Sequence, residues 1–393
     1  MKNLSVLLTF LLCLPVYAGT FTEHVGTHYG ESWSATVRTP SDVSDVINTS
    51  ISYADNLTSF AATTGNLAKY STAILQVFGG REYDNVALFL DAVKVDQGAG
   101  LRAHMAAKSA LTAGMKNVYW QVGNEINNGP KLSPSIHQWL GDGLAGGSND
   151  LTILPTFVEM WLAPSVAGLL EGDPKAQIVI GSVANAAGAT AFIDALLDYQ
   201  IAGTYAPTLA GKFVREIAKT GSIHYSMGSE TWQTPIDQYT SRGLAVWSTE
   251  EVGAGPAEKD LCMAAFTKAV GRMFSYNPKG KVFAWGAGLG TNTCDQWMPT
   301  LTGFIGANAL KPVNAGKISG LNIEAYLYAV GTTGKRVAFI IAPLGGTLTS
   351  VSGTGTIYVF RDTGVETYPT SQSLSIPLDG NSAAYVALDP RVR

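Results

Sequence analysis

Charge is scarce in this chain. Only 14% of its 393 residues are Asp, Glu, Lys or Arg, against 46% hydrophobic. That composition excludes a disordered charged tail and leaves ample apolar material for a sizeable core. No cluster of Lys and Arg forms the basic patch of a nucleic-acid binder, so no nucleic-acid partner is expected. Histidine is rare too, with five in the chain. His24 and His28 stand four apart, but no helical pattern puts them on one face, so no metal is expected. A phosphate loop and a Ser-His-Asp signature are both missing. The run Gly286-Ala287-Gly288-Leu289-Gly290 comes late, with no helix or acidic residue placed as a nucleotide site requires. No cofactor is expected.

Long hydrophobic runs are limited to the beginning. Lys2 supplies a positive start, Leu4 to Leu14 an apolar stretch, and Val16-Tyr17-Ala18 small residues before Gly19. Residues 1–18 read as a secretory signal peptide. The run is shorter than the roughly 20 residues that span a bilayer. Leu11-Leu12-Cys13 lacks the small residue expected before a lipidated cysteine. No later stretch reads as a membrane span, so the mature chain is expected to be secreted or periplasmic, with no membrane insertion. Losing Lys2 leaves 25 basic residues against 30 acidic, a net charge of −5. Cys262 and Cys294 remain. A single pair in an oxidising compartment is a natural disulfide, whereas two buried thiols would suit the apolar segment Leu261 to Phe266.

What is present is a rhythm between residues 70 and 290. The runs Thr72–Phe78, Asn117–Val122, Gln177–Val183, Ser222–Tyr225, Leu244–Thr249 and Lys281–Trp285 are nearly continuous apolar or β-branched stretches. Strands of a parallel sheet, buried on both faces, read this way. Between them lie helical patterns at 85–95, 104–114, 157–170, 191–199 and 257–274. Repeated β-α units predict an α/β fold, a (β/α)8 TIM barrel over 19–314. Thr22–Tyr29 is a candidate first strand. The second has no clear candidate, because 42–60 reads mostly as helix. Beyond about residue 315 short alternating runs separated by turns predict a C-terminal antiparallel β-sandwich over 315–393. No linker separates the two parts, so they are expected to pack together.

Two of the barrel runs end in carboxylates. Tyr119-Trp120-Gln121-Val122-Gly123-Asn124-Glu125 opens into a polar loop, and Trp247-Ser248-Thr249-Glu250-Glu251 into a glycine-rich one. The C-terminal ends of barrel strands form the active-site face. Either glutamate alone could be a helix-start residue or a surface ion pair. As a pair they match glycoside hydrolysis, which needs one carboxyl to protonate the leaving oxygen and another to attack the anomeric carbon.

At these residues the chain resembles clan A of the glycoside hydrolases, the retaining (β/α)8 enzymes. Asn124-Glu125 matches the clan's strand-four pair, and Trp247-Ser248-Thr249-Glu250 its strand-seven ending. The Gly-Asn-Glu form and the C-terminal sandwich are most similar to the heparanase/β-glucuronidase, xylosidase/iduronidase and arabinofuranosidase branches. The resemblance spans about residues 70–390 and implies Glu125 as acid/base. The Trp-x-Thr-Glu spacing favours Glu250 as nucleophile; a Glu-x-Gly spacing favours Glu251. Glu250 is preferred, with Glu251 behind it or at the surface. The resemblance further implies that Asn124 contacts the sugar 2-OH, that His224 or Tyr225 hydrogen-bonds the nucleophile, and that Trp285 floors the reacting sugar. Trp232 and Trp297 are candidate stacking residues, Trp33 and Trp139 weaker ones, and Trp120 reads as core. Arg81 either reaches the pocket or forms a surface ion pair. The expected function is hydrolysis of a β-linked oligo- or polysaccharide by double displacement. The alternatives are a non-catalytic carbohydrate-binding protein on the same scaffold and a transglycosylase using the same residues.

Overall fold

A computed structural model describes residues 20–29, 46–52, 57–68, 70–78, 86–128, 149–251, 256–285, 293–314, 318–371 and 373–390. The predicted signal peptide, Arg81, Trp33 and Trp139 lie outside the described residues. Eight strands form the first part: β1 Val25–Tyr29, β2 Val46–Ser52, β3 Thr72–Phe78, β4 Val118–Val122, β5 Gln177–Ala184, β6 Thr220–His224, β7 Ala245–Glu251 and β8 Val282–Trp285. Each pairs in parallel with the next, and β8 pairs with β1, which closes the barrel. Its helices are α1 Leu57–Leu67, α2 Val86–Asp96, α3 Ala99–Leu111, α4 Leu151–Gly172, α5 Thr190–Leu197, α6 Gln233–Thr240, α7 Pro256–Tyr276 and α8 Thr293–Ile305.

Strand alternation builds the lumen. Ile74, Val179, Trp247 and Phe283 form a buried cluster with Tyr119, whose ring meets the Trp247 indole edge-on at 4.7 Å. Trp120, one residue on, points the other way and packs on Phe60 of α1 at 5.9 Å. It is core, as expected. Two residues further along the lumen face the side chains become polar, with Gln76 and Gln121 paired across β3 and β4. The apolar plug thus gives way to hydrogen-bonding groups toward the C-terminal strand ends, where barrel chemistry sits.

Two expectations need correction. Residues 46–52 form β2, inside the segment that read as helix. Its β-branched Val46, Ile47, Thr49 and Ile51 favour a strand, but Asn48, Ser50 and Ser52 interrupt the apolar run that marks the other barrel strands. The helix follows only at Leu57. A second correction concerns α4, which is 22 residues long with a mean hydropathy of 1.5 over its best window. By length and composition it could cross a membrane, contrary to the sequence expectation. Here 83% of that window is buried within the protein. Its buried Glu159 accepts hydrogen bonds from the Ala202 and Gly203 amides at 2.7 and 3.2 Å.

The second part is two antiparallel sheets. The larger has the order β15-β14-β17-β12-β11-β9, the smaller β10-β13-β16. The strands are β9 Leu310–Val313, β10 Ile318–Leu321, β11 Glu324–Val330, β12 Arg336–Ile341, β13 Gly346–Val351, β14 Gly355–Arg361, β15 Gly364–Pro369, β16 Ile376–Leu378 and β17 Ala383–Leu388. Ala338, Ile340, Ile357, Val359, Ala384 and Val386 fill the space between the sheets with Leu348, Ile376 and Leu378. On the other face of the large sheet, Val337, Phe339 and Tyr385 join one cluster with Phe266, Val270 and Phe274 of α7. The two parts therefore share a continuous core, as the missing linker suggests. The sandwich starts before residue 315, because β9 already pairs with β11. Four residues containing Pro312 at a sheet edge are too few for alternation to register.

Cys262 of α7 and Cys294 of α8 form a disulfide, with their Cα atoms 5.5 Å apart. It closes a segment of 32 residues, and such a loop is worth roughly 3–4 kcal/mol through the unfolded chain. Thiol titration of the unfolded, unreduced protein should find no free cysteine among the two, and Cys294→Ser should lower the unfolding free energy by about that amount. Two free thiols would contradict the bond.

Candidate active site

The site begins with the end of β4. The chain turns sharply there: Gly123 has φ 93° and Glu125 φ 45°. A non-glycine residue in the left-handed region is uncommon and is held there by its surroundings. The restraint comes from β5. The Glu125 amide donates to Ser182 Oγ at 2.9 Å, and Ser182 Oγ donates to Asn124 Oδ1 at 2.8 Å. Gln76 Nε2 of β3 also donates to Asn124 Oδ1. The Asn127 side chain pairs with the end of β5 like a further strand residue, taking the Ala184 amide at 2.8 Å and giving to its carbonyl at 2.9 Å. Ser182 reaches this position because β5 is bulged between Ile180 and Val183. Gly181 makes the approach possible: a Cβ there would lie 2.5 Å from the Val122 carbonyl oxygen.

The second carboxylate arrives on β7 through another irregularity. Trp247 and Thr249 both face the lumen, so strict alternation would turn Glu250 outward. The pairing with β6 jumps, however, from Ile223 opposite Ser248 to His224 opposite Glu250. An extra residue in one strand re-aims the side chains that follow. Thr249 and Glu250 thereby serve the same pocket. The irregular pairing, rather than strand alternation, turns Glu250 inward.

His224 sits between the two glutamates and is fully buried. Its Nδ1 lies 3.3 Å from Glu125 Oε1 and 3.5 Å from Glu250 Oε2. Its Nε2 lies 3.0 Å from Thr249 Oγ1, which also contacts Ser222 Oγ. Tyr225, with φ 52°, donates its hydroxyl to Glu250 Oε1, and its amide donates to the Glu250 carbonyl at 3.2 Å. One carboxylate oxygen from each glutamate and a His224 ring nitrogen all lie within 4.8 Å of one another. Among the described residues this is the group that could also hold a metal ion. Glu125, Asn124, His224, Tyr225 and Glu250 therefore converge. Gln76, Ser182, Ser222 and Thr249 complete the set. Sequence reasoning did not single them out, since isolated Ser, Thr and Gln carry no spacing signature.

Glu251 is not a surface residue. It is 4% exposed. Ser248 Oγ and the backbone N–H groups of Ser226 and Met227 donate to its carboxylate. Burial outweighs these donors and pushes the carboxyl up to about 7.

The predicted aromatic platform divides. Trp285 ends β8 at the barrel mouth. Trp232 is buried at the start of α6, against Tyr276 at 5.5 Å and under the Arg272 guanidinium at 5.4 Å. Trp297 lies on α8, near Tyr358 and Phe360 of the sandwich at 6.0 and 6.2 Å. Trp297 thus packs against the sandwich, and Trp232 packs against α7. An indole serves either purpose equally well, and loop position alone does not tell them apart.

A raised carboxyl has a stability signature. Between pH about 4.5 and 7 the unfolded Glu251 is ionised while the folded one keeps its proton. The folded state therefore binds more protons, and stability falls as pH rises through this window, by on the order of 3 kcal/mol. Glu251→Gln removes the titration. Denaturant unfolding should find the variant gaining on the wild type between pH 5 and pH 8. A constant difference across that range would contradict the buried, protonated carboxyl.

No family model and no curated protein sequence matches the chain. Solved structures do. BuGH86 in complex with neoagarooctaose aligns over 93% of this chain and 74% of its own, with 10% identity and a TM-score of 0.51. N2152 from Neocallimastix frontalis aligns over 96% and 98%, with 13% identity and a TM-score of 0.49. A GH39 β-xylosidase from Caulobacter crescentus aligns over 96% and 98%, with 12% identity and a TM-score of 0.48. The structural neighbours thus include glycoside hydrolases. At such identities the likeness is one of fold alone.

Proposed function

We propose that the chain is a secreted retaining glycoside hydrolase that cleaves a β-linked oligo- or polysaccharide, with Glu250 as nucleophile and Glu125 as acid/base. One observation carries the reading: carboxylate oxygens of the two glutamates approach within 4.8 Å at the mouth of the barrel. Oxygens this close leave little room for a water between the carboxyls, which favours the retaining arrangement, with carboxyl groups about 5–5.5 Å apart, over the inverting one, at roughly 6.5–9.5 Å. The disulfide supports export, since such bonds persist in oxidising compartments.

The chemistry follows from the contacts. Tyr225 donates to Glu250 Oε1, and a donated hydrogen bond favours the charged carboxylate a nucleophile must be. An oxygen of Glu250 attacks the anomeric carbon as the glycosidic C–O bond breaks. The proton on Glu125 goes to the departing oxygen. Glu125, now ionised, takes a proton from water, whose oxygen displaces Glu250 and restores the starting state. An alcohol of a second sugar in place of that water gives transglycosylation. His224, within reach of both carboxylates, keeps them oriented toward the same point. Asn124, whose Oδ1 accepts from Ser182 and Gln76, is on this reading the contact for a sugar hydroxyl.

Screening the purified mature protein against aryl glycosides and polysaccharides identifies a substrate. On a glycan, Glu125→Gln should slow turnover by about 10²-fold or more. With a 2,4-dinitrophenyl glycoside, glycosyl-enzyme formation should survive in this variant, and azide should restore release. Glu250→Ala should abolish turnover. A fluorinated substrate analogue should label Glu250 in peptide maps. Labelling of Glu251 would move the nucleophile by one residue. Binding of glycans without any hydrolysis or transfer would leave the carbohydrate-binding alternative.

The Glu125–His224–Glu250 group also fits a divalent cation, which would tie up both carboxylates. Activity should therefore be unchanged after dialysis against EDTA and fall on adding zinc. Loss of activity in EDTA with recovery on zinc would favour a metal-dependent reaction instead.

A further inference from the structure

Residues 225–232, which follow β6, bring Tyr225 to the nucleophile and are gripped from two sides. From β7, the Glu251 carboxylate accepts from the Ser226 and Met227 amides. From α7, Arg272 Nη1 donates to the Met227 and Ser229 carbonyls at 2.6 and 2.7 Å. Arg272 is 1% exposed, although it lies in the apolar stretch from Ala269 to Phe274. Its other edge is committed to the sandwich. Nε and Nη2 donate to the two carboxylate oxygens of Glu324, on β11, at 3.1 and 2.7 Å. The Tyr326 hydroxyl donates to the same carboxylate at 2.6 Å. The Trp232 indole closes the far end of the segment beneath the guanidinium. Gly271 permits the arrangement: a Cβ there would lie 2.9 Å from the Phe339 Cβ and 3.0 Å from the Tyr326 ring. The helix therefore comes close enough to the sheet for one arginine to span both.

We propose that Arg272 and Glu324 are positioning residues for the nucleophile, through which the sandwich domain completes the active site. The carboxylate fixes the guanidinium, the guanidinium fixes two carbonyls just beyond Tyr225, and Tyr225 fixes Glu250. The fork of Arg matches this task, because it offers parallel donors in a rigid plane. Tyr225 needs such support, since its left-handed backbone is not the local preference of an aromatic residue. The sandwich is on this account a part of the catalytic unit. The role rests on the proposed reading of Glu250 as nucleophile.

The test uses the full chain with Glu324→Gln, which keeps the shape and removes the charge, and Arg272→Lys, which keeps the charge and removes the fork. Amide hydrogen exchange reads the segment, and kinetics are measured on a 2,4-dinitrophenyl glycoside that the wild type hydrolyses. Exchange at Ser226 and Met227 should quicken by about tenfold in both variants, with α4 and β17 unchanged. The kcat should fall by about tenfold to a hundredfold while KM stays within about twofold, as expected of a misplaced reacting group. In a Tyr225→Phe background Glu324→Gln should cost nothing further, because both act through one contact. A folded variant with normal kcat, unchanged exchange, or a loss that multiplies with that of Tyr225→Phe would overturn the proposal. If the wild type hydrolyses no glycoside, the functional reading fails. Exchange then still decides whether Arg272 and Glu324 hold the segment.

Discussion

Glu125 and Glu250 are almost fully buried, and their nearest carboxylate oxygens lie within 4.8 Å. Two negative charges at that distance repel by about 3–4 kcal/mol at an effective dielectric constant of 20. The surrounding structure reads as a response to this constraint. His224 lies between the two groups, and Tyr225 donates to Glu250. Ser182 and Gln76 fix Asn124 beside Glu125. A carboxyl pair held this way supports chemistry in which one member carries the proton and the other the charge.

Barrel geometry alone would not bring these groups together. The interior of β3 to β7 is regular where it is apolar, around Ile74, Val179 and Trp247, and irregular toward the strand ends that carry the glutamates. Pairing slips once between β5 and β6, once between β6 and β7 and once between β7 and β8. The first slip delivers Ser182, and the second turns Glu250 into the pocket beside Thr249. Left-handed backbone at Glu125 and Tyr225 adds local strain. The neighbouring packing sustains it: Arg272 and Glu251 pin the segment after Tyr225, and the shared core of α7 with the sandwich pins Arg272. Folding of the second domain and precision at the first domain's mouth are in this way one problem.

Much of this was legible in the sequence, for identifiable reasons. Strands such as Thr72–Phe78 are continuous apolar runs, so their type and limits emerge from composition. The glutamates were legible because a carboxylate ending such a run is chemically unexpected. What stayed hidden depends on pairing between distant segments. The strand at 46–52 is interrupted by Asn48, Ser50 and Ser52 and lacks the run. Trp232 and Trp297 could equally be sugar platforms or packing residues, and only the fold shows Trp232 against α7 and Trp297 against the sandwich. The bulges arise in the pairing of neighbouring strands from β5 to β8, so no window of sequence displays them. Arg272 did leave a trace, as a lone cation among Ala269, Val270, Met273 and Phe274. Its partner Glu324 lies 52 residues away.

The central claim is that two glutamates at this separation perform double displacement. The direct measurement is the anomeric configuration of the first-formed product, read by proton NMR within the first minutes of hydrolysis, before mutarotation. The account predicts the same configuration as the substrate, since two inversions at one carbon restore it. A first product of opposite configuration would mean that water attacks directly, and would contradict the assignment of Glu250 as nucleophile.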